Sequence, residues 1–198
     1  MDYLIHFITI VGYWGYGVVF VIIFFESFPL TFFLPGDSLL FLTGFLASQG
    51  HFNLFLLITT LFIASMAGYI FSYEMGEKLR TFILKSNDKY WFKAKHIHYT
   101  EKFYKKYGDK TMIIGRFVPI VRSFSATLAG SVEMPYEKFI RDSIIGGHLW
   151  TAGVTTLGFY LGRTFPKASG FLTPIILSVI FISLLPGIFE YFHERKNK

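Results

Sequence analysis

The chain has 198 residues, of which 53% are hydrophobic and 16% charged, with a net charge of +6 and a mean hydropathy of +0.47. Soluble domains carry about 25% charged residues, and a globule of this length could not hide so much apolar surface; the same figures exclude a disordered chain. Cysteine is absent, which removes disulfides, thiolate zinc sites and thiol catalysis together, and leaves a compact, polytopic, all-α membrane protein.

A bilayer core takes roughly 20 apolar residues per helix. Residues 7–25 are uncharged and form the first expected span. No basic region precedes them and no small-residue cleavage site follows, which favours a span over a signal peptide. Residues 27–50 follow, apolar but interrupted by Pro29, Pro35, Gly36 and Asp37 and preceded by Glu26. Proline removes a backbone donor and clashes with the preceding turn, so this segment reads as a re-entrant hairpin, not as a span. Gly50-His51 separates it from a second span over 52–74.

No Lys or Arg occurs before Lys78. Residues 77–110 then hold ten basic residues against four acids, an excess that equals the net charge of the whole chain. Such a run can mark a nucleic-acid surface; in a membrane protein it marks a cytoplasmic segment under the positive-inside rule. The interleaved aromatics, from Tyr90 to Tyr107, point to an amphipathic helix on the anionic inner leaflet. The expectation is a membrane surface and no nucleic acid.

Residues 111–132 carry Arg116, Pro119 and Arg122 in an otherwise apolar stretch and read as a second re-entrant hairpin. A third span is expected over 136–163, a fourth over 168–189, and a basic tail over 190–198. Gly44 and Gly76 recur 86 residues later as Gly130 and Gly162, with the basic segment between the two copies. A hairpin followed by a span, repeated from opposite faces, is the inverted-repeat arrangement of secondary transporters, whose site lies between broken helices. The basic segment 77–110 and the C-terminus are then both cytoplasmic. The glycines could also serve contacts between copies in a homo-oligomer.

Glu26, Asp37, Arg116 and Arg122 carry the chemistry. Each charge at a membrane helix centre costs roughly 2.5–3.5 kcal/mol, so the four should be paired or hydrated, the acids of one hairpin against the arginines of the other. One reading makes them ion pairs that only hold the hairpins together. The other has Arg116 and Arg122 fork onto an anionic head group while Glu26 and Asp37 handle a proton, since carboxylates withdrawn from water take up protons more readily. Pro29, Pro35, Gly36, Pro119 and Gly130 would shape the hairpins. His96 and His98 fall on different helix faces with no acid beside them, so no metal is expected. His148 reads as a packed histidine or a proton relay. Glu133 to Asp142 reads as a polar boundary before the third span. No P-loop, Ser-His-Asp order or metalloprotease helix occurs, so no enzyme, catalytic residue or cofactor is expected.

At these residues the sequence resembles the DedA family of membrane proteins, also called the VTT or SNARE-associated domain family. The resemblance rests on Gly115-Arg116-Phe117-Val118-Pro119-Ile120-Val121-Arg122, continuing through Ala129-Gly130, Met134, Phe139, Gly146 and Trp150, and on Glu26, Pro29, Pro35-Gly36-Asp37 and Gly44. It covers roughly residues 20–163. It implies two re-entrant hairpins, functional acids at Glu26 and Asp37, and functional arginines at Arg116 and Arg122. For bacterial members it implies recycling of lipid carriers, notably flipping of undecaprenyl phosphate across the inner membrane, linked to proton motive force and envelope integrity; eukaryotic relatives are phospholipid scramblases. Two departures stand out. The family's second span usually carries an acid shortly after a glycine and before the Tyr-x-x-Gly, whereas here Gly68 is followed by Tyr69, and Ser143 stands where the family often has Asn.

The expected function is therefore a membrane transporter, a flippase, for an anionic lipid carrier such as a polyprenyl phosphate, coupled to protons. An uncoupled phospholipid scramblase and a proton or cation antiporter are the alternatives.

Overall fold

The computed structural model describes residues 2–29, 36–78, 102 and 105–165. Pro35, most of the basic segment 77–110, the fourth span 168–189 and the tail 190–198 lie outside the described residues. Within them every regular element is helical.

Helix α1 (Asp2–Glu26) has 25 residues and stops where Pro29 approaches, because a residue before proline is pushed out of the helical region. Short turns close over Ser27 and Phe28. Helix α2 (Gly36–Ser48) is followed by a turn in which Gly50 takes φ +86, a backbone state open to glycine at little cost. Asn53 then caps α3 (Leu54–Lys78), accepting the Leu56 N–H at 3.0 Å, while its own N–H donates to the Tyr16 hydroxyl of α1 at 2.8 Å. Helix α3 is long and apolar enough to cross a membrane.

The second half starts with a 3-10 turn at Gly108–Lys110, a one-turn helix α4 (Thr111–Ile114) and a second 3-10 turn at Gly115–Phe117. The chain then breaks at Val118, extended at φ −116 and ψ 107, and Pro119 opens α5 (Pro119–Ser131) as its first residue. That pairing of an extended residue with proline at the helix start is what the proline ring imposes. Helix α6 (Tyr136–Thr164) follows, 29 residues long. The helices α2 and α5 have 13 residues each, about 20 Å of helix and short of a core about 30 Å thick.

Two crossings organise the bundle. In the first, α2 packs on α6, where a methyl group on Gly44 would overlap the Thr155 carbonyl and one on Gly158 the Phe41 carbonyl. In the second, α5 packs on α3, where a methyl on Gly130 would overlap the Tyr73 carbonyl and one on Gly76 the Thr127 carbonyl. Such backbone contact between membrane helices needs small residues at the seam. The two crossings are equivalent position by position: residues 41 and 44 correspond to 127 and 130, and residues 73 and 76 to 155 and 158. The long helices thus correspond one turn short of the offset read from sequence, which picks Gly162; that glycine lies against Phe45 and Ser48 instead. Gly130 lies in the last turn of α5 and makes this contact.

One apolar cluster joins the four helices α1, α2, α3 and α6 through Ile23, Leu40, Leu57, Leu61 and Trp150. A second joins α3 to α6 through Tyr69, Tyr73, Met112, Ala126 and Phe139. The charged residues sit where the two meet.

Candidate functional site

Arg122 projects from the first turn of α5, placed there by the break at Val118-Pro119. Its side chain is 4% exposed. One terminal nitrogen, Nη2, pairs with Glu26 Oε1 at the end of α1. The other, Nη1, donates to Asp37 Oδ1 in the first turn of α2 at 2.7 Å. The two acids differ in access. The Glu26 side chain is 2% exposed and the Asp37 side chain 47%, so the Arg122 fork has one sealed and one open partner. Glu26 packs so closely on Gly36 that any side chain there would overlap its carboxylate.

Trp150 completes this group from α6. Its indole Nε1 donates to the same Asp37 Oδ1 at 2.6 Å, and the Arg122 guanidinium lies 4.5 Å from its ring centre. Sequence reasoning quotes Trp150 only as part of a motif; nothing in its local pattern marks it as the donor that shares Asp37 with Arg122.

Arg116 is placed differently. It is fully buried, and among the described residues it has no carboxylate partner. Its Nη1 donates to the Ser65 hydroxyl, Nη2 approaches Met66 Sδ at 3.9 Å, and its guanidinium lies 3.2 Å from the Tyr69 ring centre. Gly146 and Gly147 leave the room its side chain occupies. The expected pairing of two acids with two arginines is therefore corrected: both acids converge on Arg122, and Arg116 is held by an aromatic face and neutral ligands. A guanidinium on a π face retains favourable electrostatics without a counter-ion. Tyr69 also ties the two arginines together, since its hydroxyl donates to the Arg122 carbonyl at 2.9 Å and lies 3.1 Å from Ser125 Oγ.

Three buried polar atoms of the cluster, Glu26 Oε2, Arg116 Nε and Arg122 Nε, make no hydrogen bond among the described residues. Buried polar atoms in native proteins nearly always have partners, so these three mark places where water or a ligand would be welcome.

Of the shaping residues, Pro29 is buried in the turn after α1, Gly36 opens α2 against Glu26, and Pro119 opens α5. His148 is exposed and meets the Phe62 ring edge-on at 5.7 Å, so it is not packed in the core. Asp142, expected at a polar boundary, is 5% exposed and accepts from Arg141 Nε at 2.9 Å.

Comparison with known proteins places the chain among relatives. The VTT domain family matches residues 34–160. Protein DedA of Escherichia coli is 35% identical over 188 residues, covering 93% of this chain and 85% of that protein. An uncharacterised membrane protein of Mycobacterium leprae is 35% identical over 90% of this chain and 80% of its own length. The inner membrane protein YqjA of Escherichia coli is 35% identical over 75% of this chain and 68% of its own. No solved structure matches the chain. The VTT-domain match over most of the chain, and relatives alike over most of their own length, identify the chain as a membrane protein of the VTT-domain, or DedA, family.

Proposed function

We propose that this protein is a flippase of the inner membrane that carries an anionic lipid carrier of the polyprenyl phosphate type, undecaprenyl phosphate above all, coupled to protons. The observation that carries the reading is Arg122: a buried guanidinium with one sealed acid and one acid open to exchange. A phosphate arriving at the open side takes the place of Asp37, and a proton on Asp37 frees the arginine for it. Arg116 adds a second positive charge from the Tyr69 side, and the lipid tail stays in the bilayer.

The two short helices support a pair of re-entrant hairpins, the first led into by Glu26 and the second broken at Pro119. The equivalence of the two glycine crossings supports an inverted repeat of short helix and long helix. Alternating access would then come from movement of one crossing against the other around the arginine. On the positive-inside rule the basic segment 77–110 faces the cytoplasm.

The test is head-group translocation in proteoliposomes, comparing a fluorescent polyprenyl phosphate with a phospholipid analogue, with and without a pH gradient. The expected result is gradient-dependent, phosphate-selective movement that disappears in the Arg116→Ala/Arg122→Ala protein. Equal movement of both lipids without a gradient would make the protein a scramblase. Ion flux without lipid movement would make it an antiporter.

A further inference from the structure

Arg122 Nη1 and Trp150 Nε1 converge on a single oxygen, Asp37 Oδ1, at 2.7 and 2.6 Å. They come from different helices, α5 and α6, and the acceptor comes from a third. Two donors aimed at one point, one charged and one an indole N–H that can only donate, form a socket for an oxyanion. The point they share is the open side of the cluster, since the Asp37 side chain is 47% exposed while the side chain of Arg122 is 4% exposed and Trp150 is buried. Among the described residues Arg122 Nε has no hydrogen-bond partner, so the two acids do not use all of its donors.

The geometry points to Trp150 as a direct ligand of the transported phosphomonoester, with Asp37 acting as a tethered anion that fills the socket when no lipid is present. This deepens the flippase reading and rests on it. The two acids then have separate parts. Glu26 is the permanent counter-ion of Arg122, sealed against Gly36. Asp37 is the exchangeable one, and an incoming phosphate oxygen inherits both of its donors. The indole ring, lying over the Arg122 guanidinium, keeps the two donors aligned during the exchange.

The experiment measures binding of a fluorescent prenyl phosphate, and separately of inorganic phosphate, to the full chain in phosphatidylcholine nanodiscs. Asp37→Asn neutralises the tethered competitor and should tighten binding of both probes. Adding Trp150→Phe to Asp37→Asn keeps the ring but removes the donor, and should weaken binding at least about tenfold, the usual weight of a hydrogen bond to a charged group. If Trp150 merely holds Asp37, Trp150→Phe will have no effect once Asp37 is Asn, and the inference falls. A second readout covers the chance that Trp150→Phe folds poorly. The sequence has three tryptophans, so in a Trp14→Phe/Trp91→Phe chain the indole 15N–1H resonance reports on Trp150 alone, and it should shift as the prenyl phosphate binds. A resonance that does not move while binding saturates overturns the inference. Binding of inorganic phosphate through Trp150, with none of the prenyl phosphate, would preserve the socket and overturn the lipid reading. Binding of neither probe by any variant would overturn both.

Discussion

Replacing Arg122 by methionine removes the charge at the centre of the cluster and preserves most of the side-chain length. The consequence differs for its two acids. Glu26, with 2% of its side chain exposed, is left as a buried carboxylate without its cation, and breaking a buried pair from one side costs about 3–5 kcal/mol. Asp37, with 47% of its side chain exposed and an indole donor still in place, loses little, within the ~1 kcal/mol typical of solvent-screened pairs. The stability effect should therefore pass almost wholly through Glu26. Arg122→Met should lower the apparent melting temperature in mild detergent by about 6–20 °C, from about 2–4 °C per kcal/mol for a chain of this size. Asp37→Asn should lower it only slightly. Arg122→Met/Glu26→Gln should recover most of the loss, because a neutral amide no longer needs the cation; the double-mutant cycle then shows a large coupling. Equal losses for Arg122→Met and Asp37→Asn, or a double mutant no better than Arg122→Met alone, would refute the division between a sealed and an open acid.

Two other perturbations test the surroundings of this cluster. Gly130→Val should separate α5 from α3 and destabilise the protein strongly, since even a Cβ overlaps the Tyr73 carbonyl; Gly153→Ala, with nothing within 4 Å of the added carbon, should be neutral or slightly stabilising in the same melting assay. Tyr69→Phe keeps the ring beneath Arg116 and loses the hydroxyl bonds to Arg122 and Ser125, a cost of about 1 kcal/mol. Tyr69→Leu removes the π face as well and should cost about 2 kcal/mol more, so an equal effect of the two substitutions in a denaturant titration would contradict the cation–π contact.

The parts of this fold that were legible in sequence are those written in runs of one residue type. The helix expected over 136–163 is α6 at Tyr136–Thr164, built around the uncharged stretch between Asp142 and Arg163. The helix expected over 52–74 is α3 at Leu54–Lys78, longer at its end because Glu77 and Lys78 continue the helix beyond the apolar run. Glu26, Asp37, Arg116 and Arg122 stood out by their cost in an apolar setting. What pattern could not supply was partnership. Arg116 finds Ser65, Met66 and Tyr69, neutral residues about 50 positions away, where charge balance alone had suggested an acid. Trp150 reaches Asp37 across 113 positions, and its indole N–H looks like that of any interfacial tryptophan until the bundle is assembled.

The two glycine crossings run between the halves of the chain. The short helix α2 seats mainly on α6 and the short helix α5 on α3, so neither short helix finds its main packing partner in its own half. This sets a schedule for synthesis. Asp37 leaves the ribosome 85 residues ahead of Arg122, and Glu26 leaves 96 residues ahead. At about 5–20 residues per second, both acids wait roughly 4–20 s for their cation, and α2 waits longer still for the seam that seats it. During that interval Glu26 and Asp37 are without the guanidinium they share in the finished fold. The arrival of α5 joins the two acids to Arg122, and α6 completes the bundle afterwards by seating α2.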